Sequence, residues 1–124
     1  MTNGQDALEL ARDLSARSTI KIKVGAVIFD KNGILAWGWN NPGNGYGDHA
    51  EHMAIRRFVR GDYSGKVPIY IAVFASRKGR PITSRPCKNC EKLLRGYGVS
   101  GSIYYKKEEL EGYFVSYIVN EEYI

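Results

Sequence analysis

Long apolar runs are missing from this sequence. The longest nearly uncharged apolar stretch, Val67 to Ala75, is nine residues, whereas a membrane-spanning helix needs about twenty. The opening Met1-Thr2-Asn3-Gly4-Gln5-Asp6 lacks a basic segment followed by an apolar one, so no export is expected and the location read for the protein is cytoplasmic. Cysteine is scarce: two residues, Cys87 and Cys90, allow at most one intrachain disulfide. A disulfide scaffold is therefore excluded, and so is a four-cysteine structural zinc site. Proline is also sparse, at 4 of 124 residues, and no low-complexity tail or repeat is present, which argues against disorder. The 18 Lys and Arg against 13 Asp and Glu leave a net charge of +5, a balance that favours an anionic partner.

What is present is enough apolar material, 44% of the chain, for one core, and the chain reads as a single domain over 1–124. Ala7, Leu10, Ala11 and Leu14 keep helical spacing within Gln5 to Arg17, with Asn3 as a cap. Lys21 to Asp30 and Ile34 to Trp39 read as two antiparallel strands joined at Asp30-Lys31-Asn32-Gly33. The segment Asn40 to Asp48 is so rich in turn formers that a loop without regular structure is expected. His49 to Val59 reads as a second helix capped by Asp48, Val67 to Ala75 as a buried strand, and Ser76 to Ser84 as an irregular polar stretch. Cys87 to Tyr97 then reads as a third helix stopped by glycine. Strands at Ser102 to Tyr105 and Tyr113 to Val119 complete the set. Too few residues separate these two for a parallel crossover, so an antiparallel pair is expected.

His49 and the pair Cys87 and Cys90 supply three donors for a borderline metal, each at a helix start where the dipole favours anionic ligands. Three protein ligands leave zinc an open position, the arrangement of a catalytic site. Glu51, two residues beyond His49, stands where a carboxylate can move protons without binding the metal. Each residue also has an ordinary reading. The Cys-x-x-Cys pair alone suits redox chemistry, Glu51 can close a capping box with Asp48, and Asn40 suits a turn. His52 reads as a surface or second-layer histidine, Arg56, Arg57 and Arg60 as a solvated face, and Trp37, Trp39 and Phe74 as core or pocket wall. Tyr46, in a glycine-flanked loop before His49, is a candidate to stack on a base.

The combination His49-Ala50-Glu51 with Pro86-Cys87-Lys88-Asn89-Cys90 resembles the zinc-dependent cytidine and deoxycytidylate deaminase superfamily. Val24-Gly25-Ala26-Val27 and Gly38-Trp39-Asn40 are similar to the first half of deoxycytidylate and tRNA adenosine deaminases, and Pro86 to Tyr105 is more similar to the deoxycytidylate branch. The resemblance implies a three-layer α-β-α fold with a mixed five-stranded sheet; the last strand, read as antiparallel from its short connection, is closer to free-nucleoside cytidine deaminases than to the nucleotide or tRNA branches. The resemblance also implies Zn2+ on His49, Cys87 and Cys90, with Glu51 as the proton shuttle. Substrate contacts are implied at Asn40 (the sugar), Ala50 (the base, through its amide), Val24 and Pro86. Arg85, unusual before that proline, has a guanidinium able to reach a phosphate.

The expected reaction is hydrolytic deamination of a cytosine nucleotide or nucleoside to the uracil product and ammonia. A free nucleotide is preferred over tRNA or single-stranded DNA because no aromatic-basic stripe is visible along the chain. A catalytically silent zinc scaffold is the alternative of another class. Relatives are typically oligomers, so a homo-oligomer without membrane contact is expected.

Overall fold

The computed structural model describes residues 3–42, 47–59, 67–82, 84, 88–110 and 113–123, with side chains described at 4–42, 49–59, 67–82, 84 and 88–104. The elements are α1 (Asn3–Ser15), β1 (Ile22–Asp30), β2 (Gly33–Trp39), β3 (Asn41–Pro42), β4 (Gly47–Asp48), α2 (Ala50–Val59), β5 (Ile69–Arg77), β6 (Arg80–Ile82), α3 (Lys88–Gly96), β7 (Val99–Leu110) and β8 (Tyr113–Tyr123).

The main sheet runs β2-β1-β5-β7-β8, with β6 added beside the end of β5. Only β5 and β7 are parallel, and α3 lies in the connection between them. The antiparallel ending read from the short connection is present, and the pairing extends from Gly101↔Tyr123 to Leu110↔Tyr113. Most of Lys106 to Gly112, expected as a connection, is therefore strand.

Side-chain alternation along the strands divides the core into two layers. Ala26, Ile28, Ile69, Ile71 and Val73 face Ala50, Ala54, Ile55 and Phe58 of α2 and Leu94 of α3. Val27, Phe29, Ala72 and Phe74 face Ala7, Leu8, Ala11 and Leu14 of α1. The sheet is thus covered on both faces, the three-layer arrangement expected. At the first hairpin, Asp30 Oδ1 accepts from the amides of Asn32 at 2.7 Å and Gly33 at 3.1 Å, which explains why that tetrapeptide was readable as a turn.

Two segments are more ordered than their composition predicts. Asn41 and Pro42 pair with Asp48 and Gly47 as a two-residue ladder inside the expected loop. Ser76 to Ile82 is a hairpin, in which β5 continues to Arg77 and pairs back with Arg80 and Pro81. Lys78 and Gly79 both adopt positive φ at its tip, 52° and 77°, the conformation that lets a two-residue turn follow the twist of its strands. Polarity marked this stretch as a loop, but it lies on the surface, where polar side chains suit an added strand equally well. Among the described residues no helix is long and apolar enough to cross a membrane.

Candidate metal centre

The centre is assembled where the first turns of α2 and α3 meet over the sheet. Gly38 sets the position of α2. A Cβ at this residue would stand 2.6 Å from the Ala50 carbonyl oxygen and 2.7 Å from the Ala54 amide nitrogen, so only glycine lets the helix backbone rest on β2. Ala50 and Ala54, fully buried at this contact, keep the helix side equally thin.

His49 is the residue that caps α2, since its carbonyl accepts the Met53 amide at 3.2 Å. The helix therefore begins one residue later than expected, with His49 in the capping position read for Asp48. Glu51 is then the second helical residue, and the reciprocal capping box proposed for it does not form, because that motif needs the third. The Ala50 amide, first in the helix, has no intrahelical acceptor and projects from the positive end of the helix.

Cys90 comes from the first turn of α3 and is fully buried, a thiol that is not half of a disulfide. Its Sγ lies 3.3 Å from His49 Nδ1. The donor atoms of His49, Glu51 and Cys90 all fall within 4.8 Å of one another, with Glu51 and Cys90 buried and His49 exposed. For a tetrahedral zinc with the usual Zn–N and Zn–S bond lengths, the nitrogen and sulfur would be about 3.6 Å apart. The observed separation fits a shared ion with only a small adjustment. The His52 ring stacks on that of His49, with centroids 5.2 Å apart and planes 22° from parallel. It packs against the His49 ring and, among the described residues, is not in the donor group.

Asn40 binds the first strand. Its Oδ1 accepts the Val24 amide at 2.8 Å, and its Nδ2 donates to the Ile22 carbonyl at 2.7 Å. One amide hydrogen and one lone pair are left for a ligand. The turn role considered for Asn40 is thus replaced by a latch between the end of β2 and the start of β1. Val24 is half-buried and packs on the core layer beneath α2. Cys87, Tyr46, Arg85 and Pro86 lie outside the described residues.

Sequence reasoning missed Ser84. This buried hydroxyl donates to the Val73 carbonyl at 2.8 Å, tying the chain between β6 and α3 to the sheet just ahead of the cysteine pair. No local pattern distinguishes it from the neighbouring polar residues. Phe74 is core against α1, while Trp37 is 41% exposed. Neither forms a wall of the metal centre.

A comparison of the sequence with curated proteins gives no match. Among solved structures, cytidine deaminase from Burkholderia pseudomallei aligns with a TM-score of 0.67 and 20% identity over 97% of this chain and 92% of that one. The dCMP deaminase of cyanophage S-TIM5 in apo form aligns at 0.58 with 24% identity, covering 88% of this chain and 85% of that one. The same phage enzyme in complex with dCMP and dUMP aligns at 0.55 with 23% identity, over 77% and 75% of the two chains. These likenesses establish a shared fold. Family membership comes from the sequence: residues 1–106 match the cytidine and deoxycytidylate deaminase zinc-binding region, so the chain belongs to that family of zinc-dependent deaminating hydrolases.

Proposed function

We propose that the protein hydrolyses the exocyclic amino group of a cytosine nucleotide or nucleoside, giving the uracil product and ammonia. The observation that carries this reading is the convergence of the His49, Glu51 and Cys90 donor atoms within 4.8 Å. His49, Cys90 and Cys87 would hold the zinc. When bound, the ion supplies Lewis acidity and an activated water.

The remaining work belongs to side chains and backbone. Glu51 is 6% exposed, so its carboxylate is itself shielded from solvent beside the exposed His49. It accepts one proton from the attacking water and delivers it to the ring nitrogen beside the amino-bearing carbon, then moves that water's second proton to the amino nitrogen. A carbon–oxygen bond forms at the amino-bearing carbon, the carbon–nitrogen bond breaks, and nitrogen leaves as ammonia. The Ala50 amide, directed out of the helix start, donates to the base carbonyl, and the remaining Asn40 amide hydrogen contacts the sugar. Val24 and Pro86 flank the base, Tyr46 stacks on it, and Arg85 meets a phosphate. The phage enzyme with dCMP and dUMP supports a pyrimidine nucleotide as the substrate class.

The proposed location is the cytoplasm, where nucleotides are made and consumed. Self-association is proposed through the exposed Leu93 of α3 and Tyr97 just beyond its end. The test is mass spectrometry of zinc-loaded protein incubated with cytosine, adenine and guanine nucleosides, nucleotides and oligonucleotides. A mass increase of about one unit on cytosine compounds, with ammonia released, is the expected result. Bound zinc with no product from any compound would mean a silent scaffold.

A further inference from the structure

The edge strand β2 carries a feature that the metal centre does not use. Trp37 and Trp39 are two positions apart and leave the strand on one side. Their register partners Val27 and Gly25 turn toward α1, so the two indoles lie on the sheet face away from α2 and α3. Arg57 reaches round the edge from α2. Its guanidinium carbon lies 5.2 Å from the Trp37 ring centroid and 5.3 Å from that of Trp39, and one N–H donates to the Trp37 carbonyl at 2.8 Å. Arg17, just beyond α1, stands 5.1 Å from the Trp39 centroid. Lys21 and Lys23, both exposed, precede Gly25 at alternate positions on that same side of the chain. Among the described residues none of these four cations is in an ion pair.

A merely solvated basic face does not require its guanidinium groups to be held against rings. Here two arginines are held against indole rings, which keeps their charge and leaves further N–H donors beyond the one Arg57 gives to the Trp37 carbonyl. An anionic membrane takes indoles that are free to insert, and an acidic protein takes them into an apolar contact; here Trp39 is packed against the α1 layer, only Trp37 is partly open at 41% exposure, and both rings carry the Arg57 charge, which suits neither. A duplex hides its base faces. Unpaired bases on a phosphodiester backbone satisfy both components, with stacking on the partly open Trp37 and phosphates on the cations. We infer that the Arg17–Trp39–Arg57–Trp37 ladder, extended by Lys21 and Lys23, is a binding surface for single-stranded nucleic acid, separate from the zinc site. The aromatic-basic stripe judged absent along the chain is assembled by folding.

The test is equilibrium binding of the zinc-loaded protein to a fluorescent single-stranded oligonucleotide of mixed sequence, with inorganic polyphosphate and the matching duplex as comparison ligands. Four phosphate contacts predict that affinity falls about fiftyfold between about 50 and about 200 mM salt. Binding should quench tryptophan emission, and the single strand should bind at least about tenfold more tightly than either comparison ligand. Trp37→Ala and the charge reversal Lys21→Glu should each weaken binding about tenfold while deamination of a free nucleotide is unchanged. Arg17→Lys, which keeps the charge but loses the planar fork, should give a smaller loss and guards against misfolding of the truncations. Equal affinity for polyphosphate without quenching would overturn the proposal, as would binding that the Trp37 and Lys21 changes leave intact, or no oligonucleotide binding at low salt.

Discussion

Cys90 Sγ and His49 Nδ1 are 3.3 Å apart, although 41 positions of chain separate the two residues. The sulfur is fully buried and the histidine exposed, so an ion held between them would sit at the boundary of core and solvent. Cys90→Ala should reduce bound zinc to well below one equivalent per chain, measured by elemental analysis of purified protein. Stripping zinc with a chelator should destabilise the native protein by about 4 kcal/mol relative to the metal at 1,000 times its Kd. The check is the midpoint of urea unfolding with and without zinc.

Glu51→Gln removes the proton-accepting carboxylate while preserving volume. The expected outcome is a kcat lowered by about 10²- to 10⁴-fold with zinc content unchanged, the range attributed to a positioned acid–base group. Loss of zinc in this variant would instead make Glu51 a ligand.

Gly38→Ala inserts a methyl group against the backbone of α2, which has no flexible side chain to move aside. Overpacking of this kind costs about 1–3 kcal/mol. Since the same helix start carries His49 and Glu51, the urea midpoint and the zinc affinity should fall together.

Asn40→Ala removes two hydrogen bonds that join β2 to β1, each worth about 0.5–1.5 kcal/mol. Stability should fall by about 1–3 kcal/mol. A sugar contact adds a separate effect, a raised KM for nucleosides compared with the free base, which a purely structural latch would not produce.

Much of the architecture was legible because its signals are local. The helical spacing of Ala7, Ala11 and Leu14, the turn chemistry of Asp30 to Gly33, and the short connection before Tyr113 each act within a few residues. They led to α1, the first hairpin and the antiparallel ending. The hairpin at Lys78 and Gly79 was missed because a surface strand that buries little leaves only a weak alternation in polarity. The start of α2 was misplaced by one residue because Asp48 and His49 were competing caps, and the carbonyl of His49 takes the first helical bond.

His49, Glu51, Cys87 and Cys90 announce their chemistry through residue type and order, since few side chains bind zinc and fewer combinations leave a carboxylate beside it. Whether a donor from α2 meets one from α3 is a different matter. It depends on Gly38 admitting one helix close to the sheet and on Ser84 tying down the approach to the other, contacts between segments far apart in the chain. The tryptophan–arginine ladder has the same origin: Arg17, Trp37, Trp39 and Arg57 have no common spacing, and only packing around an edge strand makes them neighbours.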